Sequence, residues 1–504
     1  MTFHRRSGIL LHVTSLPSTF GVGDLGENAR SFVDFLVSSG QTYWQVLPLS
    51  PTGFADSPYQ AFSAFAGNPL LVDPKLLVED GLLQPEDLQN TADFPVGRVD
   101  YGSVIIYKHG LMEKAFMNFR NKINQEKRDA FEAFCEQQSS WLDDFALFMA
   151  LKDTHNMRSW HEWDLDMAHR KPEALQSFYR QSQLKIDQQK FFQWLFFLQW
   201  GALKGYANER GIRIIGDLPI FVARDSVDVW ANTHLFHFNR QLEPTVVAGV
   251  SPDYFSRTGQ LWGNPLYRWE VLAGRGYDWW IDRFRQAFTL YDAVRIDHFR
   301  GFYNYWEVPG GETTAINGRW VAGPRAPLFR AVKKALGEVD IIAEDLGDFD
   351  QESRAGVDDL QAEFGFPGMK VLQFAFDEGA KDPFLPHNYV RECVVYTGTH
   401  DNDTTVGWYT GTSTVEERQH ALRYLDRDGN DIAWNMIHLG WSSVADTAIT
   451  TVQDLLSLGT ETRMNTPATT GAPNWCWRMT SGSLTEQVSI RLRELTELYG
   501  RLPE

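Results

Sequence analysis

The sequence predicts an α/β fold, a (β/α)8 TIM barrel, and three observations carry that expectation. Eight short β-rich runs recur, helical periodicity lies between several of them, and polar or charged residues close several of the runs. The runs are Gly8 to Val13, Tyr43 to Leu49, Ile212 to Asp217, Ala293 to Asp297, Ile341 to Glu344, Met369 to Asp377, Cys393 to Asp401 and Thr447 to Val452. Between the second and third, Phe191, Trp194, Leu195 and Leu198 follow the i, i+3, i+4, i+7 spacing of one helical face. The pattern runs on to Gly211, a helix stop just ahead of the next strand, as a crossover helix should. Strand, helix and strand in that order predict a parallel sheet.

The spacing of the runs is uneven. The stretch from Leu49 to Ile212 is far longer than a loop, so it reads as a large, mainly helical insertion at about 50–190. A second excursion covers about 225–278, again too long for a simple connection. Both leave the C-terminal ends of strands, the face on which barrel enzymes place their chemistry, where they would wall a substrate cleft. With no internal repeat and no low-complexity linker, residues 1–504 read as one catalytic barrel domain with the insertions as subdomains.

Hydrophobic residues make up 43% and charged residues 22%, the balance of an ordinary globular protein rather than a disordered one. A formal net charge of -18 repels phosphate backbones and anionic lipid. It argues against nucleic-acid and membrane-surface partners, and leaves a neutral ligand without penalty. The cysteines Cys135, Cys393 and Cys476 are widely spaced and form no CxxC pair, so neither a disulfide framework nor a zinc knuckle is expected. The basic start, Met1 to Arg6, is followed by an apolar run that stops at His12, too short for a secretory segment. No run approaches the ~18 apolar residues of a membrane span. A cytoplasmic protein is the expectation. Aromatic residues reach 14%; most belong in the core, and the excess fits sugar sites, where ring faces stack on the C–H face of a pyranose.

Two familiar patterns fail on their context. Gly21 to Gly26 matches G-x-G-x-x-G, but Pro17 interrupts the connection and the second strand offers no acidic residue for a ribose, so the segment reads as a turn. Asp426 to Asp431 resembles part of a calcium loop, yet Gly429 falls early and Ile437 stands where a bidentate Glu is required. His400 to Asp403 has no second cluster at ligand spacing. Neither a metal nor an organic cofactor is expected.

What remains are carboxylates at strand ends. Arg295 and Asp297, two apart on one strand, point to the same side. The next strand delivers Glu344, and the run beginning at Cys393 delivers Asp401. Each has a bland reading: an interior salt bridge, a helix N-cap, a turn. Three carboxylates converging on one barrel face repel one another, which function explains better than structure. Retaining glycoside chemistry uses such a set. One carboxylate attacks the anomeric carbon, a second about 5–5.5 Å away protonates the leaving oxygen, and crowding keeps that acid protonated near neutrality.

Nearly the whole chain resembles the amylomaltases, or disproportionating enzymes, of the α-amylase-like superfamily. The resemblance is carried by Ser7 to Ser18, Ser57 to Gln60, Gly67 to Pro69, Gly216 to Ile220, Trp262 to Pro265, Arg295 to Gly301, Glu344 to Gly347, Thr399 to Asp403, and Met464 with Asn465. It implies a 4-α-glucanotransferase that passes a cut α-1,4-glucan to an acceptor glucose or glucan through a covalent glucosyl-enzyme. Asp297 would be the nucleophile, Glu344 the general acid/base and Asp401 the transition-state stabiliser. Arg295 would orient Asp297, and His298 and His400 would donate to sugar hydroxyls. Tyr59, Asp217, Trp262, Asp377 and Asn465 would be substrate contacts by the same analogy. Phe54 stands where some relatives carry Tyr at a secondary glucan site. An α-1,4-glucan hydrolase shares the three carboxylates, and a non-catalytic glucan-binding protein is the remaining alternative. The strand ending Gly216-Asp217-Leu218-Pro219, rather than with the Asn-His pair usual in α-amylases, favours transfer by analogy.

Overall fold

In the computed structural model, which describes residues 5–89, 93–122, 124–252 and 256–503, each of the eight expected runs supplies one strand of a closed, all-parallel barrel. In chain order the strands are β1 (Arg6–Leu10), β2 (Tyr43–Gln45), β3 (Arg213–Pro219), β4 (Val246–Val250), β5 (Gln260–Pro265) and β6 (Ala293–Asp297). They continue with β7 (Asn304–Pro309), β8 (Arg319–Ala322), β9 (Ile341–Ala343), β10 (Gly368–Val371), β11 (Cys393–Tyr396) and β12 (Thr447–Thr451). Around the barrel the order is β1-β2-β3-β6-β9-β10-β11-β12, closing back on β1. Met1 to His4 of the basic start lie outside the described residues.

Alternation along each strand sorts apolar side chains into two cores. Ile215, Ala293, Ile342 and Ile449 fill the barrel interior, while their neighbours Ile214, Val294, Ile341 and Ala448 pack in the outer core. Two residues further along the interior rows the chemistry changes: Asp217 follows Ile215, Arg295 follows Ala293, and Glu344 follows Ile342. The interior is therefore apolar at depth and charged toward the C-terminal mouth. Parallel register sets Asp217 beside Arg295 and Pro219 beside Asp297, and Ile296 beside Ala343, so the ends of β3, β6 and β9 come level. Gly216 alternates outward against Tyr291, where a Cβ would sit only 2.1 Å from the ring.

Two strands end sooner than their runs. After β10 the chain enters a 3-10 turn, Leu372–Phe374. After β11 it folds into a polar loop in which the Thr399 N–H and hydroxyl both donate to Asn402 Oδ1 at 2.9 Å. Side-chain acceptors there replace the strand ladder.

The stretch between β2 and β3 is largely helical, with long helices Tyr101–Lys122, Gln125–Gln137, Ser139–Thr154 and Pro172–Glu209. Phe191, Trp194 and Leu195 lie buried on the last of these, whereas Leu198 is 46% exposed at the edge of the apolar face. The excursion after β3 is built differently. It carries β4 and β5, which pair with β7 and β8 into a four-stranded antiparallel sheet of order β5-β4-β7-β8. That sheet draws strands from both sides of β6, so a second segment, 304–322, joins the excursion in one layer.

The glycine pattern at Gly21 to Gly26 is a packed turn. Gly21 has φ +81, a Cβ on Gly23 would lie 1.9 Å from the Val13 carbonyl oxygen, and one on Gly26 would strike the Asp73 carboxylate. In the calcium-like loop, Asp428 accepts from the backbone and side-chain amides of Asn430, and Asp431 pairs with Arg491 at 2.5 Å. Among the described residues no helix is long and apolar enough to cross a membrane, and no group of three or more His, Cys, Asp or Glu is placed to hold a metal ion.

Candidate active site

β6 and β9 position the first two carboxylates. Arg295 is 3% exposed and donates through Nη1 to Asp217 Oδ2 at 2.7 Å and through Nη2 to Asp297 Oδ1 at 3.1 Å. One guanidinium thus ties the third barrel strand to the fourth. Immediately after Asp297, His298 adopts the left-handed region at φ 52, ψ 51, a strained conformation for a side-chain-bearing residue. That kink turns its N–H onto Glu344 Oε2 at 2.7 Å. Leu346 N–H donates to the other oxygen at 3.1 Å. Asp297 and Glu344 are therefore neighbours across adjoining strand ends, the first held by a guanidinium and the second by backbone N–H groups.

Their electrostatics differ. Burial pushes the Glu344 carboxyl up to about 7, against the pull of Arg295 and the His298 N–H, with Asp345 adding to the rise. Burial also pushes Asp297 up, and Asp217, Glu344 and Asp401 reinforce it, while Arg295 opposes them by direct contact. Two coupled carboxyls in one site titrate as a pair. Of the two, Asp297 is the one that accepts a hydrogen bond from Arg295.

Asp401 is anchored separately. Asn465 donates from its side-chain amide to Asp401 Oδ1 at 2.6 Å and from its backbone to the His400 carbonyl at 3.1 Å. Arg463 donates to the Asp401 carbonyl at 2.6 Å and to the Asn465 carbonyl at 2.7 Å. Asp401 Oδ2 stands 3.3 Å from His400 Nε2, and its side chain is 40% exposed.

A hydrogen-bonded chain joins the two halves. Tyr59, from the helical insertion, donates its hydroxyl to Asp217 Oδ2 at 2.8 Å and lies 2.8 Å from His400 Nε2. Its ring stacks on His400 with centroids 5.3 Å apart and meets Trp475 at 5.6 Å. Asp297, Arg295, Asp217, Tyr59, His400, Asp401 and Asn465 thus form one continuous network.

Trp262, on β5 of the antiparallel sheet, meets the His298 ring edge-on at 4.9 Å. Burial lowers His298 to about 4 and also lowers His400, so both imidazoles are neutral at neutral pH. His298 Nε2 is buried without a hydrogen-bond partner among the described residues. Asp377 stands apart from this network: it is exposed beyond β10, and it is Asp382 whose carboxyl it raises.

Three participants carried no role in the sequence reading. Arg463 and Trp475 act through contacts far away in the chain, although Arg463 adjoins the Met464-Asn465 motif. His12 sits inside the Ser7 to Ser18 motif and lines a cavity with His400, Arg463 and Met464.

The 4-alpha-glucanotransferase family model matches residues 11–485. The chain is 51% identical to a 4-alpha-glucanotransferase of Thermus thermophilus, covering 100% of both, and 50% identical to one of Synechocystis sp., covering 99% of this chain and 98% of the relative. Among solved structures, the amylomaltase from Streptococcus agalactiae in complex with acarbose matches with a TM-score of 0.95 at 41% identity, over 99% of this chain and 100% of that one. The Corynebacterium glutamicum amylomaltase shares the fold, with a TM-score of 0.78 at 21% identity over 99% of this chain and 74% of that one. On a family match spanning most of its length and relatives half identical from end to end, this chain belongs to the 4-alpha-glucanotransferase family.

Proposed function

We propose that this chain transfers α-1,4-glucan segments with retention, through a covalent glucosyl ester on Asp297. The observation that carries the reading is the different bonding of two neighbouring carboxyls that burial raises alike: Asp297 accepts from the Arg295 guanidinium, while Glu344, raised to about 7, accepts only from the backbone N–H groups of His298 and Leu346. Asp297 attacks the anomeric carbon as Glu344 protonates the departing glycosidic oxygen. The ester forms, the glycosidic bond breaks, and the leaving sugar departs with the Glu344 proton. Glu344, now a carboxylate, then deprotonates the incoming sugar hydroxyl, which attacks the same carbon and frees Asp297. Asp401, held by Asn465, faces the positive charge that develops on the ring.

His298 and His400, neutral and beside the carboxylates, are proposed to hydrogen-bond sugar hydroxyls, and Tyr59 and Trp262 to offer ring faces. Asp217 acts on Arg295 and Tyr59, and Asp377 binds sugar further along the cleft. Residues 1–504 form one catalytic unit whose insertions wall that cleft and exclude water. The reaction needs neither metal nor organic cofactor. The acidic charge disfavours nucleic acid, and free cysteines at Cys135, Cys393 and Cys476 agree with a cytoplasmic enzyme.

The test uses Glu344→Gln with a glucosyl donor whose leaving group needs no protonation. The ester then forms but breaks slowly, and mass spectrometry should find one glucosyl mass on the peptide containing Asp297. Adduct on another residue would move the nucleophile elsewhere.

A further inference from the structure

After β11 the chain makes the loop Thr397 to Thr405, which presents His400 and Asp401. Both ends of that loop converge on one carboxylate far along the chain. Thr397 donates its hydroxyl to Asp454 Oδ2 at 2.6 Å, Thr405 donates its hydroxyl to the same oxygen at 2.9 Å, and the Thr405 N–H donates to Asp454 Oδ1 at 2.7 Å. Asp454 lies on the short helix Val452–Leu455 that follows β12, and it is 1% exposed. It does not cap that helix; the Thr451 hydroxyl does, accepting from the Asp454 N–H at 3.1 Å. Burial raises the Asp454 carboxyl, and the largest opposing pulls come from Thr397, Thr405 and Thr451, none of them charged. A buried carboxylate without a cation is costly, and donors from the neighbouring loop are what hold it.

The residue beside it holds a second loop. Gln453 donates to the Thr462 carbonyl at 3.2 Å, in the segment that supplies Arg463 and Asn465 to Asp401. Arg463, Asn465 and the Thr460 hydroxyl, which donates to Asp403 Oδ2 at 2.9 Å, tie the two loops to each other. Those ties alone would let both loops shift together. Gln453 and Asp454 instead tie each loop to the end of β12, a strand of the barrel whose other strand ends carry Asp297 and Glu344. We propose that Asp454 is a positioning residue, which clamps both ends of the Thr397 to Thr405 loop to the barrel and so fixes where Asp401 stands relative to Asp297. The inference rests on the role proposed for Asp401 and assigns one to a residue buried behind it in the fold.

Other bonds reach the loop from elsewhere. Tyr59 lies 2.8 Å from His400 Nε2, and Gln373, after β10, donates to the Asp403 carbonyl at 2.9 Å. Each of these grips one point inside the loop, whereas Asp454 grips the two ends from which its path is set. A catalytic group displaced by about 1 Å can lose about 10²-fold in rate, so a clamp of this kind acts on chemistry without touching the sugar.

The experiment compares Asp454→Ala with Asp454→Asn, each alone and in an Asp401→Asn background. Asparagine keeps the clamp: its oxygen accepts from the Thr405 N–H, and its amide donates to the two threonine hydroxyls, which accept as well as donate. In Asp454→Ala, kcat for transfer from a glucosyl donor with an activated leaving group should fall about 10²-fold while KM changes little. Asp454→Asn should stay within about threefold of the unaltered protein. In the Asp401→Asn background, Asp454→Ala should lower kcat by no more than about twofold further, because the group it positions is already gone. A purely structural loss would carry through that background undiminished. An Ala variant with unaltered kcat, an Asn variant as impaired as the Ala variant, or an equal loss in the Asp401→Asn background would overturn the proposal. If Asp454→Ala does not fold, Thr405→Val, which removes one hydroxyl donor at nearly the same volume, takes its place. A fall in kcat of about 3- to 10-fold that vanishes with Asp401→Asn supports the clamp, and no fall refutes it. Full turnover by Asp401→Asn alone would overturn the proposed function, and the clamp with it.

Discussion

In the helical insertion, Phe119 brings its ring within 4.9 Å of Phe191 and 5.5 Å of Trp194, and Phe131 joins them at 5.8 Å from Trp194. At the barrel mouth, Asp217, Asp297 and Glu344 all act on one buried guanidinium, Arg295, and His298 is held in a strained backbone conformation. The first region gains stability by removing apolar area from water; the second gives stability up by keeping carboxylates close together in a low dielectric. Substitutions in the two should therefore split cleanly, with activity lost at the mouth and stability lost in the insertion.

The largest effect belongs to the mouth. Asp297→Asn should reduce kcat by about 10³-fold or more, with a melting temperature at or above that of the unaltered protein, because it removes the proposed nucleophile and relieves repulsion. Calorimetry showing a large loss of stability would erase the contrast.

Glu344→Gln should lower kcat with unactivated glucans by about 10²- to 10⁴-fold. In the unaltered protein, activity should decline as pH rises through about 7, where Glu344 loses the proton it must donate. Stability should follow with a definite sign. The folded value of about 7 lies above the ordinary 4.5, so the contribution of Glu344 is full below pH 4.5 and is lost as pH climbs through about 7. The Gln variant should therefore match the unaltered protein near pH 4.5 and exceed it by about 1–3 kcal/mol at pH 8. Denaturant titration at both values checks this, and a gain confined to the acidic side would reverse the assignment.

The insertion should behave the other way. Phe191→Ala empties a fully buried site and should destabilise by about 3–5 kcal/mol, while the kcat of the folded fraction stays within about twofold. A kcat loss without a stability loss would mean that this cluster shapes the cleft directly. The smallest effect is expected from chelators, which should leave turnover unchanged. In the calcium-like Asp426–Asp431 loop, Asp428 is already engaged by Asn430 and Asp431 by Arg491. Loss of activity restored by calcium alone would overturn that reading.

The same contrast explains what was legible in the sequence. The eight barrel strands were readable because each is a short apolar run, and the three carboxylates because they punctuate such runs at Asp297, Glu344 and Asp401. Tyr59, Asp217, Trp262 and Asn465 were reached only by resemblance, since their roles depend on partners far off in the chain. The antiparallel sheet was not readable. β4 is five residues with a glycine inside, and it pairs with β7 across the whole of β6, a contact that no local period announces. Arg463 and Trp475 escaped for the same reason: each acts through a hydrogen bond or a ring contact that exists only once the barrel closes.

The proposed covalent intermediate ends in transfer. In the proposed mechanism both transfer and hydrolysis pass through an ester at Asp297, and they differ in what attacks it. Each transfer breaks one α-1,4 bond and makes another, so the number of reducing ends stays constant, whereas each hydrolysis adds one. With pure maltotriose as sole substrate, the measurement is total reducing ends against time beside the chain-length distribution. The predicted result is glucose together with a ladder of longer oligosaccharides and almost no rise in reducing ends. A steady rise matching bond cleavage, with no product longer than maltotriose, would contradict it.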